Sequence, residues 1–215
     1  MAALENTPAD VPATDWRAGL PRLASDRVIL RELQRSDAPA LLRIVRTPEI
    51  ARHTWRPPST IDAFERFIEW TWTERSVGRY VCVGVLLPGM SEVIGMFELR
   101  QLQPGFFRAE LGFFLEPAAW GTGVFRDAAE LLIGFAIDVL GVHRIEARAS
   151  VDNARSNAAL QKIGAHHEGR LRAAFVSDGR YVDQNLWAIV AGLDDGAMVR
   201  RKTRTRRSAL HVLAC

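Results

Sequence analysis

The sequence predicts a mixed α/β domain over residues 26–192. Three consecutive runs after Gly78 carry the apolar, β-branched and aromatic residues typical of strands, and turn residues separate them. Before and after these runs, apolar residues recur at helical spacing, as Val124, Ala128 and Leu132 do along one helix face. Helices and strands that alternate in this way indicate a sheet with helices packed on its faces.

One strand and two helices are predicted before Gly78. Val28–Leu30 has the apolar character of a short strand, and Ser36 is a suitable N-cap for a helix over 37–46. Ser59, with Asp62 three residues later, resembles a capping box at the start of a second helix. The apolar face of this second helix contains Ile61, Phe64, Ile68 and Trp72.

Three strands are predicted next, over Tyr80–Leu87, Val93–Leu102 and Phe107–Leu115. A long helix follows from Val124, and Gly141 is suited to end it. The remaining predicted elements are a strand over His143–Ser150, a helix from Asn153 to Gly164, and strand segments at Phe175–Val176 and Tyr181–Val190.

The net charge of +3 belongs to one end of the chain. The segment 200–207 holds six of the 28 basic residues and no acid, which leaves 22 basic against 25 acidic residues elsewhere. We therefore expect a basic C-terminal tail over 193–215 and an N-terminal extension over 1–25. The tail could contact nucleic acid or a ribosome. The absence of interleaved aromatic residues favours a solvated terminus instead.

Several classes of protein are disfavoured. No apolar run approaches the roughly 20 residues that span a membrane, and the N-terminus does not resemble a signal peptide. With only Cys82 and Cys215, a disulfide framework is not expected, and a cytoplasmic location fits. None of the five histidines pairs with cysteines or acids at ligand spacing, so no metal site is predicted.

The most informative motif is the segment Glu116–Arg126, which leads from an apolar run through two glycines into the long helix. Free N–H groups at the start of a helix form an anion site, and glycine lets a phosphate approach the backbone. About thirty residues later, Asn153 and Ser156 place an amide and a hydroxyl at the head of another helix. This pairing predicts a ligand with phosphates and a long amide-bearing arm.

Four segments together resemble the GNAT superfamily of acetyl-CoA-dependent N-acetyltransferases: Trp120–Phe125, Asn153–Ser156, Lys162–Gly164 and Glu168–Arg172. The chain is most similar to the branch that acetylates the N-terminal residue of ribosomal proteins. The resemblance implies a mostly antiparallel, twisted sheet that is splayed between its fourth and fifth strands and flanked by helices.

The resemblance also implies the residues that bind the donor, acetyl-CoA. The pantetheine arm would pair with the fourth strand, the pyrophosphate would lie on the glycine turn, and an amide would bind the arm. A backbone N–H at Phe114 or Leu115 would stabilise the developing oxyanion. The implied cofactor-binding positions are Phe113, Phe114, Leu115, Trp120, Gly121, Thr122, Gly123, Val124, Phe125, Asn153 and Ser156.

Two positions depart from the family pattern. Phe125 replaces a glycine or alanine, so its ring must point away from the pyrophosphate or it narrows the site. Leu160 replaces the tyrosine with which many relatives protonate the leaving thiolate, which makes Ser156 or a water the substitute. Alternatively, Ser156 is a first-turn residue that bonds the backbone.

The general base is predicted from chemistry and strand position. Glu110 is the first choice, because it lies on the strand that would meet the thioester, and a carboxylate can act through a water. Alternatively, Glu110 is a surface residue paired with Arg108 or Arg100. Glu98, on the neighbouring strand, is the second choice.

The acceptor is expected to be an α-amine of a protein or a small molecule, acetylated by direct transfer in a ternary complex. Trp55 is a candidate pocket residue, Arg52 and Arg56 suggest an acidic feature in the acceptor, and Trp72 fits the core. An antibiotic or polyamine acetyltransferase is one alternative, although a polyamine pocket should be acidic. A catalytically silent CoA-binding module is another, and the chain is expected to be a monomer or a homodimer.

Overall fold

The computed structural model describes residues 15–54, 57–177 and 179–192. The predicted tail over 193–215 and the first 14 residues lie outside these ranges. Within them the strands are β1 (Leu23–Ala24), β2 (Ile29–Glu32), β3 (Tyr80–Leu86), β4 (Gly95–Gln101), β5 (Arg108–Leu115), β6 (Arg144–Ser150), β7 (His166–Ser177) and β8 (Arg180–Val190). The helices are α1 (Ala38–Val45), α2 (Pro48–Ala51), α3 (Ile61–Ser76), α4 (Val124–Asp138) and α5 (Ala154–Lys162).

One sheet contains all eight strands in the order β1-β2-β3-β4-β5-β6-β8-β7. Neighbouring strands are antiparallel except for the parallel pair β5 and β6. One core, with Phe64 and Met96, lies between the sheet and α1–α3. A second core, with Phe97 and Leu132, contains the buried faces of α4 and α5 on the other side. Side chains of one strand alternate between these cores because successive residues point to opposite faces.

The sheet is splayed at its parallel pair. β5 pairs with β6 only from Arg108 to Glu110, whereas it pairs with β4 over nearly its whole length. We call the resulting gap the cleft. One edge is residues 111–115 of β5 with the glycine turn that follows, and the other is residues 147–150 of β6 with the start of α5. The predicted mixed fold with a splayed sheet is confirmed. The splayed strands are fifth and sixth rather than fourth and fifth, because the two-residue β1 was not predicted.

Two predicted helix starts are wrong by one residue. Asp37, not Ser36, is the residue before α1, and its carboxylate accepts a bond from the Gln34 N–H at 2.8 Å. Thr60, not Ser59, caps α3, since its hydroxyl oxygen accepts from the Ala63 N–H at 3.1 Å. Thr60 thus caps the first turn of α3, whereas the Asp37 carboxylate bonds the backbone that precedes α1 and not its first turn.

The packed part of the chain also begins earlier than the sequence predicted. Trp16 is 7 % exposed and meets Phe106 edge-on at 5.7 Å between ring centroids. Arg75, buried on α3, donates to the carbonyl of Arg17. The packed unit therefore includes Trp16, which precedes the predicted boundary at residue 26. Among the described residues, none of the helices is long and apolar enough to cross a membrane.

Candidate active site

The glycine turn between β5 and α4 has the geometry of an anion cradle. Gly121 and Gly123 adopt left-handed φ values of 77° and 91°, and a Cβ on Gly121 would meet nothing within 4 Å. Gly123 is the N-cap of α4 and has no side chain to cap the helix, while the Thr122 hydroxyl oxygen lies 3.5 Å from the Val124 N–H. This contact is at the limit of a hydrogen bond, so a phosphate can compete for the first N–H groups of α4, where the helix dipole also favours an anion.

A positive charge lies beside this turn. Arg27 donates from Nη1 to the carbonyl of Thr122 at 3.3 Å, and its Nε lies 3.9 Å from Asp127. Its guanidinium would be 2.6 Å from a Cβ on Gly123. The side chain is well exposed, so it can turn towards a phosphate group. Sequence reasoning missed Arg27, because it lies about a hundred residues from the turn.

The Phe125 ring packs towards the sheet. It contacts Phe113, with ring centroids 4.7 Å apart, and Phe97, with centroids 5.5 Å apart. This stacking occurs in the core on the α4 side and draws the benzyl group away from the turn. The departure from the family pattern therefore leaves the glycine turn open, which meets the condition stated from the sequence.

The β5 edge of the cleft offers its backbone to a ligand. Beyond Glu110 no described strand pairs with this side of β5, and the edge includes Phe113, Phe114 and Leu115. The indole N–H of Trp120 donates to the Leu115 carbonyl at 2.9 Å and so ties the glycine turn to the end of β5. The structure therefore brings the predicted strand and turn residues together along one edge.

The opposite edge of the cleft is formed by the start of α5. Asn153 caps this helix by accepting a bond from the Ser156 N–H at 3.0 Å. Asn157 anchors the same turn: its amide donates to the Ser150 carbonyl at 2.9 Å, and its oxygen accepts from Trp187 Nε1 at 2.9 Å. Sequence reasoning missed Asn157 as a positioning residue, because its partners lie on β6 and β8.

The Ser156 hydroxyl has no hydrogen-bond partner among the described residues. Its backbone N–H, not its hydroxyl, bonds Asn153, so the side chain is available to a ligand. Leu160, one helical turn further, is 1 % exposed and belongs to the core on the α4 side. Within the described residues, Ser156 is therefore the candidate proton donor that α5 offers.

The two edges of the cleft touch at one point. The Arg155 guanidinium carbon lies 4.1 Å from the centroid of the Trp120 ring, which is a cation–π contact. Arg155 belongs to the first turn of α5 and Trp120 to the glycine turn. This contact adds a cation beside the candidate phosphate site, and no sequence pattern indicated it.

Glu110, the predicted base, lies between two arginines. Arg100 Nη2 donates to its Oε2, and Arg148 Nε lies 3.6 Å from its Oε1. The pairing with Arg100 corresponds to one of the two alternatives stated from the sequence. Arg108, the other predicted partner, instead pairs with Glu146 at 3.1 Å.

Glu98, the second candidate, has different surroundings. The Tyr80 hydroxyl donates to Glu98 Oε2. Burial raises the pKa of the Glu98 carboxyl above its usual range, and Glu110 adds to this, while Tyr80 and Arg100 lower it. Burial likewise raises the pKa of Tyr80, so the phenol remains a donor. Glu98 therefore combines a weakly acidic carboxyl with a fixed orientation.

A hydrogen bond joins the chain after α2, where the acceptor pocket was predicted, to the end of β7. The Ser177 hydroxyl, near the β7–β8 turn, donates to the Arg52 carbonyl at 2.8 Å. Burial lowers the pKa of His53, which Asp152 partly offsets. Trp55 and Arg56 lie outside the described residues, so the predicted pocket role of both stays a prediction.

The remaining aromatic and cavity features do not adjoin the cleft. Trp72 donates from Nε1 to the Leu33 carbonyl at 3.0 Å and packs on the core, as predicted. A cavity of about 450 Å³ lies at the far end of β4, where its lining includes Trp16, Arg79 and Phe106. Among the described residues, no group of three potential ligands could hold a metal ion.

The splayed sheet, glycine turn and capped α5 define a class of protein: an acyltransferase that binds a phosphate-bearing thioester donor in the cleft. Residues 27–166 match the family model of the acetyltransferase (GNAT) domain. The chain belongs to this family. It is an acetyl-CoA-dependent N-acetyltransferase that transfers an acetyl group to an amine.

Curated relatives agree with this assignment. The chain is 28 % identical over 173 residues to the uncharacterized N-acetyltransferase YoaA of Bacillus subtilis, covering 79 % of this chain and 97 % of YoaA. It is 30 % identical over 97 residues to the ribosomal-protein-serine acetyltransferase of Escherichia coli, covering 45 % of this chain and 54 % of that protein.

Solved structures share the fold. RimL, a ribosomal L7/L12 α-N-protein acetyltransferase in complex with coenzyme A, superposes with a TM-score of 0.73. The match covers 80 % of this chain and 99 % of RimL at 20 % identity, which supports the fold alone.

The residues present fit acetyl-CoA. The start of α4, whose N-cap is a glycine, and the open space at Gly121 suit the pyrophosphate, and the unpaired edge of β5 suits the amide-bearing arm. When bound, the donor supplies the activated acetyl group. The chain must supply the rest: an orientation for the amine and partners for the protons that move.

Proposed function

We propose that the acceptor is the α-amine of a protein or peptide N-terminus. The observation that carries this proposal is the charge state of the cleft. Glu110 lies between Arg100 and Arg148, and the buried Glu146 lies between Arg108 and Arg144. These two carboxylates are offset by arginines, so neither offers the free negative charge that would attract a polycation.

The chemistry of the amine supports the same choice. An α-amine has a pKa near 7.7–8.0, whereas a lysine amine has one near 10.4. A substantial fraction of α-amine is therefore neutral at cytoplasmic pH, and a weak base is sufficient to remove the remaining proton. The relative that acts on ribosomal-protein serine favours this class of acceptor as well.

We propose that Ser156 protonates the leaving thiolate. Its hydroxyl has no partner in the described structure and lies in the first turn of α5, next to Asn153. From there it can donate a proton to the thiolate of the departing donor. Glu110 stays the first base predicted from sequence, but its two arginines compete with an amine for the carboxylate oxygens.

The proposal also includes the cellular location, the contacts of the basic tail and the oligomeric state. We place the reaction in the cytoplasm, because the chain has only two cysteines and Cys82 is a free, buried thiol. The predicted basic tail would add contact with a ribosome or another nucleic acid, and the domain would act as a monomer or homodimer.

A thiol-release assay tests the acceptor. Purified protein and acetyl-CoA are mixed with three probes. The first is a set of peptides whose one amine is the free N-terminus, the second is a set of N-acetylated peptides whose one amine is an internal lysine, and the third is spermidine. We expect kcat/KM for the free N-termini to exceed that for the other probes by at least tenfold, about 1.4 kcal/mol. Preference for spermidine would support the polyamine alternative, and no release with any amine would support the silent binding module.

A further inference from the structure

The register of three strands brings together residues that the sequence keeps apart. Cys82 of β3 lies opposite Glu98 of β4, and Glu98 lies opposite Gly112 of β5. All three positions face the α1–α3 side of the sheet. Gly112 belongs to the stretch of β5 that forms the edge of the cleft. A side chain of β4 that passes over Gly112 therefore reaches the cleft.

The side chain of Glu98 passes over Gly112 in this way. A Cβ built on Gly112 would lie 2.6 Å from Glu98 Oε1, 2.8 Å from its Cγ and 3.0 Å from its Cδ. Real Cβ atoms essentially never approach other atoms so closely, so the carboxylate occupies the space that a side chain at position 112 would need. The absence of a side chain at Gly112 permits the carboxylate to lie above β5, where the donor thioester is expected.

Tyr80 fixes the carboxylate from its other side. Its hydroxyl donates to Glu98 Oε2 and leaves Oε1 above Gly112. Tyr80 is itself held by Trp70 of α3, with ring centroids 4.9 Å apart. Glu98 retains some exposed surface, so an acceptor in the cleft can reach it.

We infer that Glu98 is the proton acceptor for the amine, positioned by Tyr80 and admitted to the cleft by Gly112. This inference rests on the proposed function. The ammonium form of the acceptor gives one proton to the Glu98 carboxylate. The neutral nitrogen then bonds to the acetyl carbon, the carbon–sulfur bond breaks, and the electron pair leaves on sulfur. The second amine proton reaches the thiolate through Ser156 or water, and Glu98 returns its proton to solvent.

The groups that face Glu98 determine its pH response. Tyr80 and Cys82 face it from β3, Arg100 adjoins it on β4, and Glu110 faces it from β5. Burial and Glu110 favour the protonated carboxyl, whereas Tyr80 and Arg100 favour the carboxylate. Glu98 can accept a proton only above its raised pKa, so its titration should contribute to the acid limb of the rate profile alongside that of the α-amine.

The test compares pH profiles of kcat/KM for a peptide with a free N-terminus. Glu98→Gln should lower kcat/KM by about 10²-fold or more and reduce the acid limb to the titration of the α-amine alone, with the dissociation constant of acetyl-CoA within about twofold of wild type. Glu92→Gln, at an exposed carboxylate paired with Arg43, is the matched control and should keep the wild-type profile. An acid limb in Glu98→Gln that has the wild-type shape, or one that changes in Glu110→Gln instead, would overturn the inference.

A second variant covers the case in which Glu98→Gln does not fold. Tyr80→Phe removes the hydrogen bond that lowers the pKa of Glu98, so the acid limb should move to higher pH. An unmoved limb in Tyr80→Phe contradicts the inference. If the wild type itself releases no thiol with any amine, the proposed function fails. A wild type that is active while these variants keep its profile refutes only the role of Glu98.

Thermal unfolding gives a readout that does not depend on activity. The unfolded carboxyl titrates near 4.5, and the folded one at higher pH, so the folded state holds the proton more tightly. The stability that Glu98 contributes is therefore present at low pH and is lost as the pH rises through the folded pKa. Glu98→Gln should raise the Tm relative to wild type at pH 8 and not at pH 4. A difference that does not change with pH would contradict the buried carboxylate.

Discussion

Arg155 lies over Trp120 with 4.1 Å between its guanidinium carbon and the ring centroid, and this contact joins the two edges of the cleft. Arg155 has no ion-pair partner among the described residues. Its charge is therefore available to an anion on the glycine turn. The contact connects α5, which carries the candidate proton donor, to the turn that is suited to the donor phosphates.

Replacement of Arg155 should weaken donor binding. We expect Arg155→Ala to raise the dissociation constant of acetyl-CoA about fivefold, since one partly exposed charge interaction contributes up to about 1 kcal/mol. Isothermal titration calorimetry measures the change, and the effect should shrink at high salt. Arg66→Ala, which removes an exposed charge from α3, is the control. Equal affinities in both variants would contradict a role for Arg155.

The glycine turn can be tested by a single substitution. Gly123→Asp adds a carboxylate where the phosphate is expected, at a φ of 91° that disfavours side chains. Acetyl-CoA binding should weaken at least tenfold, about 1.4 kcal/mol. Gly134→Ala, further along α4 where a Cβ meets nothing within 4 Å, should bind normally. Unchanged affinity in folded Gly123→Asp would place the phosphates elsewhere.

Asn157 should matter for stability as well as catalysis. Asn157→Ala leaves Trp187 Nε1 and the Asn185 amide without their acceptor, which should cost about 1–3 kcal/mol of unfolding free energy. The first turn of α5 should also shift, so kcat should fall. Urea unfolding measures the first effect, and Gln161→Ala, exposed on the same helix, should stay within about 0.5 kcal/mol of wild type. An equal loss of stability in both variants would show that the hydrogen bonds of Asn157 make no specific contribution to the free energy of unfolding.

Removal of the basic tail should leave the chemistry intact. Its charges are concentrated in residues 200–207 and show no apolar period. Deletion of residues 199–215 should leave the Tm and the turnover of a short peptide nearly unchanged. Binding to a ribosome or nucleic acid, measured against salt concentration, should weaken and lose salt dependence. Loss of the folded state on truncation would make the tail part of the domain.

The sequence predicted the elements that have strong apolar patterns. α4 and β3 lie close to their predicted positions, because each buries one or both faces. The greater part of β7, over 166–174, was missed. This segment is largely exposed and polar, so its sequence shows no apolar alternation. It forms a strand because its backbone pairs with β8.

The site was predictable only in part, for a related reason. The glycine turn and the start of α5 are local motifs, so the sequence shows them directly. The approach of Glu98 to Gly112 depends on the register between β4 and β5, and the contact of Arg155 with Trp120 depends on how α5 packs. Such relationships join residues far apart in sequence, and hydrophobic periodicity does not encode them.

Within the described residues, β5 and β6 pair as strands at three positions. The molecule can therefore be regarded as two smaller sheets that share a short seam. In the proposed arrangement, the donor binds next to this seam through β5, the glycine turn and the start of α5. The acceptor would then enter near the two outer connections that the bond from Ser177 to Arg52 joins. Divergence in those two connections would redirect the enzyme to new amines while the seam and the donor residues stay unchanged.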